Sequence, residues 1–185
     1  MELLDRADLI DALRELIDQL KSRGEHAGIR IVGGAALALR YFERASTVDI
    51  DASIHPAGPV LEIAEGIAAR RGWQTNWLNT NATMFIPPMR DAWEQIYDDA
   101  GISISVGAPE MLLAMKLNAS RPGRDEGDIA RLLRICSISD VTAAEDLFES
   151  FYPGEVLQVK AYRILTVVFS TGLPDAVDPP ATPTF

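Results

Sequence analysis

Apolar residues recur at helical spacing near the start of the chain. Leu9, Ile10, Leu13, Leu16, Ile17 and Leu20 make one stripe, which predicts a helix over Ala7–Arg23. After a connection at Gly24–Gly28, where His26 reads as a solvated loop residue, the period changes. Ile29–Val32 is a short apolar run that stops at Gly33-Gly34, which predicts a strand running into a tight turn. Ala35–Phe42 is made of good helix formers. Val48–His55 then alternates, with Val48, Ile50, Ala52 and Ile54 on one face and Asp49, Asp51, Ser53 and His55 on the other. The passage predicts strand, glycine turn, helix and second strand.

Downstream, Pro56–Pro59 reads as a loop and Val60–Arg71 as a helix that Gly72 ends. The stretch Trp73–Pro88 is rich in aromatic and β-branched residues and predicts one or two strands around a turn at Asn79–Asn81, with Trp73 and Trp77 in the core. Asp91–Asp99 reads as irregular or a short helix, and Gly101–Val106 as a strand of the same sheet. Pro109–Ala119 is a helix with proline at its first position and Glu110 in its first turn. Asp125 stands as an N-cap before a helix whose apolar face is Ile129, Leu132, Leu133 and Ile135. Val141–Phe151 and Glu155–Phe169 complete the helices. Thr171–Phe185, rich in proline and small residues, predicts a disordered or loosely held tail. The fold class is therefore α/β (α+β). It comprises a small mixed sheet flanked by helices and a helical C-terminal portion, with residues 1–170 as one domain and no internal repeats.

Chemistry enters at the turn and the second strand. Two carboxylates on one strand face repel unless a cation lies between them, and oxygen ligands favour magnesium or manganese. The first N–H groups of the helix after Gly34 suit a phosphate. Taken singly, a Gly-Gly pair is a turn and an Asp-x-Asp is a solvated strand edge. Jointly, one helix and a short return bring the aspartates beside the turn, the core of a nucleotidyl-transfer site. Arg44, Ser46 and Thr47 precede the acidic strand, either to touch phosphate or to satisfy loop backbone. Lys116 lies in a strongly apolar helix, either snorkelling to water or meeting phosphate. Arg121, Pro122, Gly123 and Arg124 form a basic turn, while Asp125, Glu126 and Asp128 also suit capping and the helix dipole. The strand Gly101–Val106 offers serines and no acid, where many such transferases carry a third carboxylate.

The net charge of −10 argues against broad, sequence-blind binding to nucleic acid, leaving only a local basic mouth of Arg40, Arg44, Lys116, Arg121 and Arg124. No apolar run reaches the roughly 20 residues of a membrane span, so no membrane association is expected. The acidic, amphipathic start is unlike a signal peptide. The single cysteine, Cys136, excludes an internal disulfide and reads as a buried structural thiol, and the expected setting is cytoplasmic.

Three passages, VGGAALALRYFERASTVDID, ISVGAPEMLLAMKLNA and ASRPGRDEGDI, together resemble the AbiEii/MenT-like family of nucleotidyltransferase toxins and their uncharacterised relatives. They follow that family's Gly-Gly/Ser turn, its Asp-x-Asp strand and its Lys…Arg…Arg-Asp…Asp segment, and cover about Ile29–Leu133. The resemblance implies a nucleotidyltransferase-like fold and metal-dependent transfer of a nucleoside monophosphate from a nucleoside triphosphate to a hydroxyl. An RNA 3′ end, tRNA included, is favoured as acceptor over a protein or small molecule, and an antitoxin protein is an implied partner. It implies that Gly33 and Gly34 hold the triphosphate and that Asp49 and Asp51 bind Mg2+ or Mn2+. Lys116 would meet phosphate, and Arg121, Arg124, Asp125 and Asp128 would be the family's remaining polar cluster. Asp125 is then either catalytic or a cap, with Asp128 in the same cluster. Two features depart from the family: the chain is short, with any large C-terminal substrate-binding domain missing or reduced, and Gly34 stands where many relatives have serine. The rival expectation is a non-catalytic interaction protein that keeps the fold.

Overall fold

The computed structural model describes residues 3–44, 46–88 and 92–185. Among these are seven α-helices and a five-stranded mixed sheet. In chain order the elements are α1 (Arg6–Arg23), β1 (Ala27–Val32), α2 (Gly33–Arg40), β2 (Ile50–His55), α3 (Ala57–Arg71), β3 (Leu78–Asn79), β4 (Trp93–Asp99), β5 (Ile102–Gly107), α4 (Pro109–Ala119), α5 (Glu126–Ile135), α6 (Val141–Phe151) and α7 (Val159–Thr171). The residues fall into two compact units. The first comprises Met1–Met84, Trp93–Gly107 and Asp178–Phe185; the second comprises Phe85–Ala92 and Ala108–Val177.

The first unit holds the sheet, in strand order β3-β2-β1-β5-β4. β1 is central, antiparallel to β2 and parallel to β5, while β3 and β4 form the edges. One face is apolar: Ala27, Ile29 and Ile31 line up with Ile102, Ile104 and Val106 on one side and with Ile50, Ala52 and Ile54 on the other, all buried. Ion pairs place helices over that face. Glu94, opposite Val106, meets Arg40 of α2 at 3.1 Å, and Asp99, opposite Ile102, meets Lys21 of α1 at 2.6 Å. Glu15 of α1 takes Arg70 and Arg71 of α3 on its two oxygens, at 2.7 and 3.0 Å. The opposite face is polar and carries Asp51, Ser53, Arg30, Ser105 and Gln95 at matched registers. α1 starts one residue earlier than its apolar stripe predicts because Asp5 caps it in a reciprocal box with Asp8.

The expected one or two strands over 73–88 reduce to β3 and a short 3₁₀ turn at Thr83–Phe85. Trp77 is in the core, its indole N–H donating to the Ala64 carbonyl at 2.8 Å, but Trp73 is only half-buried. The reading of Asp91–Asp99 as irregular or helical is corrected over its described part: Trp93–Asp99 is strand β4, and Asp91 lies outside the described residues. A bulge between Gln95 and Tyr97 breaks the period of two, and an edge strand tolerates the charges that hid it. Pro56–Pro59 is the start of α3 rather than a loop. Residues 172–185 form neither helix nor strand, yet the end of this expected tail is held. Arg6 donates to the Ala181 carbonyl at 2.5 Å and Arg14 to that of Thr184 at 3.0 Å, Pro183 is buried, and the Phe185 ring meets Tyr97 edge-on at 5.7 Å. Prolines leave carbonyls without neighbouring donors, and the arginines supply them.

The second unit is helical. α4 is apolar nearly all round and buries Met111, Leu112, Leu113, Ala114 and Leu117, as a central helix must. It contacts α5 and α6, which contribute Ile129, Leu132, Leu133, Phe148 and Phe151, while α7 adds Ala161, Ile164, Leu165 and Val168. α7 begins at Val159, later than Glu155, because residues 155–158 are not helical and Gln158, its N-cap, is extended at φ −75°, ψ 153°. No described helix is long and apolar enough to cross a membrane.

Candidate functional site

In the first unit the chain turns sharply where β1 ends. Gly33 has φ +69°, in the left-handed region that a side chain strains. A Cβ there would lie 3.4 Å from Asp51 Oδ2, so the carboxylate sits directly over the turn. Gly33→Ala is expected to cost about 1–2 kcal/mol from backbone strain, read as a lower urea midpoint at unchanged slope. A Cβ on Gly34 would stand 3.0 Å from both Arg44 Nη1 and Thr47 Oγ1. Those two groups fill the space that a side chain would need, which gives glycine here a steric reason.

Asp49 and Asp51 differ in how they are held. Asp51 is within β2; Asp49 precedes it, because Thr47 pairs with Leu4 rather than with the sheet. The Leu4–Thr47 bridge has N–H···O distances of 2.7 and 2.8 Å. The strand therefore starts two residues later than the alternation from Val48 predicts. Thr47 Oγ1 donates to the Asp49 carbonyl at 3.1 Å, and Arg44 Nη1 donates to the Ser46 carbonyl. These loop groups satisfy backbone, as one of their two sequence readings has it.

A third residue joins the pair. Asn79 of β3 stands opposite Asp51 in the register, and its Nδ2 donates to Asp49 Oδ2 at 3.1 Å. One buried amide thus touches Asp49 and neighbours Asp51, so both carboxylates lie toward the polar side of the sheet. Asn79 entered the sequence reading only as part of a turn; its signal is tertiary, thirty positions from its partner.

The donor set fits magnesium or manganese. Asp49 and Asp51 offer carboxylate oxygens of the kind such ions take, and among the described residues no three His, Cys, Asp or Glu side chains converge as a metal cluster. Magnesium is commonly held by one or two carboxylates, with substrate phosphates and water completing its shell. The glycine turn beside Asp51 is where a phosphate can come close to backbone.

The second unit gathers the remaining expected residues. Lys116, 7% exposed, lies in central α4 and gives N–H bonds of 2.8 Å to Asp125 Oδ1 and to Asp128 Oδ2. It is neither a snorkelling lysine nor a solvated one; a charge in so apolar a helix must be paired. Arg121 binds Asp125 side-on, with Nε at 2.9 Å and Nη2 at 3.0 Å, and its backbone N–H adds a bond of 3.0 Å. Burial would push Asp125 up, but the hydrogen bonds from Arg121 and Lys116 outweigh it and hold its carboxyl at about 2. Asp125 does not cap α5 through its side chain, which corrects the cap reading: its oxygens are occupied by the two cations. Arg124 is exposed on the turn before α5. Cys136, just past α5, is half-buried; burial pushes its thiol up to about 12, so it carries negligible thiolate at neutral pH.

Gly33, Gly34, Arg44, Asp49 and Asp51 are thus brought together within the first unit, and Lys116, Arg121, Asp125 and Asp128 within the second. No protein-family model, curated protein or solved structure matches this chain.

Proposed function

We propose that this protein is a metal-dependent nucleotidyltransferase, a relative of the AbiEii/MenT-like toxins, moving a nucleoside monophosphate from a nucleoside triphosphate to a hydroxyl acceptor. The observation that carries the reading is the convergence of Gly33 from the end of β1, Asp51 from β2 and Asp49 held by Asn79 from β3. Asp49 and Asp51 would hold Mg2+ or Mn2+, whose chemistry when bound is to polarise the α-phosphate and acidify the acceptor hydroxyl. The turn at Gly33-Gly34 lets triphosphate oxygens approach the first N–H groups of α2. Arg44, packed over Gly34, offsets phosphate charge as pyrophosphate leaves. Lys116, Asp125, Arg121 and Arg124 enter as the family's second polar cluster, to be tested below. The favoured acceptor is an RNA 3′ end and the implied partner an antitoxin.

Of the five basic groups expected to form an RNA mouth, Arg40 pairs with Glu94, Lys116 with Asp125 and Asp128, and Arg121 with Asp125. Paired cations release few counterions. The logarithm of RNA affinity should therefore fall with that of salt less steeply than the slope of about −3.5 that five single-strand phosphate contacts would give. A filter-binding series at rising salt measures it, and a markedly steeper slope would point to other contacts.

One observation favours the rival, a non-catalytic protein of the same fold: β5 presents Ser103 and Ser105, rather than an acid, on the face that carries Asp51. The deciding experiment incubates the protein with each α-labelled nucleoside triphosphate, magnesium, and total RNA or cell extract. Label in RNA supports the favoured reading, and label in a protein band alone removes the RNA acceptor. No label from any triphosphate leaves the non-catalytic protein.

A further inference from the structure

We propose that Asn79 is the positioning residue of the acidic pair, aiming the Asp49 carboxylate at the metal; the inference rests on the metal-dependent reading above. Asp51 sits in a strand with neighbours on both sides, β1 opposite Val32 and β3 opposite Asn79. Asp49 has no such ladder, since β2 begins one residue after it. A carboxylate on an irregular segment rotates unless something holds it, and a metal ligand that rotates loses affinity. Two groups hold Asp49: the Thr47 hydroxyl on its carbonyl, and Asn79 Nδ2 on its Oδ2.

Asn79 is itself locked. It is 6% exposed, its Oδ1 accepts from the Asn81 N–H at 2.9 Å, and its Nδ2 also reaches the Asn76 carbonyl at 3.4 Å. Its amide orientation follows from these partners, because the oxygen faces a backbone donor and the nitrogen faces a carboxylate. β3 is only two residues long, and its second residue is Asn79. The edge strand thus contributes one buried leucine, Leu78, and one hydrogen-bond donor aimed at the site.

Two substitutions separate positioning from mere turn structure. Asn79→Ala removes the donor to Asp49. Asn79→Asp keeps the shape and the acceptor for the Asn81 N–H, but places a third carboxylate beside Asp49 and Asp51. The measurement is Mn2+ binding by electron paramagnetic resonance, with Mn2+ alone and no nucleotide, paired with thermal melts with and without Mn2+. Asn79→Ala should weaken Mn2+ binding about 10- to 100-fold, the usual loss when a group orienting a ligand is removed. Asn79→Asp should bind Mn2+ more tightly than the parent, and should melt lower than the parent without metal because a carboxylate then faces Asp49 Oδ2 where the amide had donated to it. If the parent binds Mn2+ and both variants bind it equally well, Asn79 is structural and the inference falls while the metal site stands. If the parent binds no Mn2+ and Asp51→Asn changes nothing, the metal site itself falls, and the inference with it. Should Asn79→Ala fail to fold, Asn79→Ser, whose hydroxyl is too short to reach Asp49 Oδ2, takes its place with the same expected weakening, and unchanged Mn2+ binding by it overturns the inference.

Discussion

Asp51→Asn is expected to cut nucleotidyl transfer about a thousandfold, the scale on which losing one preorganised electrostatic group slows an enzyme. The substitution keeps the side chain's shape and removes the negative charge that a bound cation would require. Calorimetry with a nucleoside triphosphate and magnesium, beside a melt of the same sample, separates the effects. Equal nucleotide–magnesium binding by parent and variant would remove Asp51 from the site. The geometry gives the expectation its force, because Asp51 Oδ2 lies within van der Waals reach of the space above Gly33.

The largest stability effect is expected in the second unit. Lys116→Ala should cost about 3–5 kcal/mol, because it leaves Asp125 and Asp128 buried with their shared cation gone. A change of about 0.5 kcal/mol, ordinary for a surface residue, would contradict the buried cluster. The cluster also carries a pH signature. Asp125 has a folded value of about 2 against an ordinary value of 3.8, so the folded state favours its charged form. Its contribution is therefore complete above about pH 4 and is lost as the pH falls through about 2. Urea titrations between pH 5 and pH 2 should show parent stability declining there. In Asp125→Asn the slope in that window should be smaller. If Lys116 also meets phosphate, triphosphate binding should fall in a Lys116 variant that is still folded at low temperature.

How much was legible depended on where each residue's partner lay. α4 and α6 match their predicted bounds because the signals are local: proline at the first position of one, and for the other Asp140, which accepts from the Ala143 N–H. β1, β5 and the glycine turn were readable from apolar runs and punctuation. β4 was not, because a bulge and edge charges erase alternation. In the candidate site, Asp49, Asp51 and Gly33 announced themselves by spacing along one passage. Asn79 did not, because only the parallel pairing of β3 with β2 brings it to Asp49. Asp125 misled in the opposite direction. Its place before an apolar helix imitates a cap, yet the carboxylate turns to Lys116 and Arg121 because an ammonium in an apolar helix demands it more strongly than a peptide N–H does.

The segmentation of the first unit has a consequence for biosynthesis. Its sheet is assembled from residues on either side of a stretch that belongs to the helical unit, and residues 178–185 return to α1 and β4. A ribosome releases the chain in one direction, and domains generally fold as they emerge. The helices of the second unit lie in one run from Ala108 to Val177 and can be complete while the sheet still lacks its final clasp. Until Phe185 is added, Tyr97 lacks the ring that later packs against it edge-on, and Arg6 and Arg14 lack the carbonyls that later accept from them. Nascent chains stalled before residue 178 would present that seam to chaperones, and the seam would close only once residues 178–185 are made.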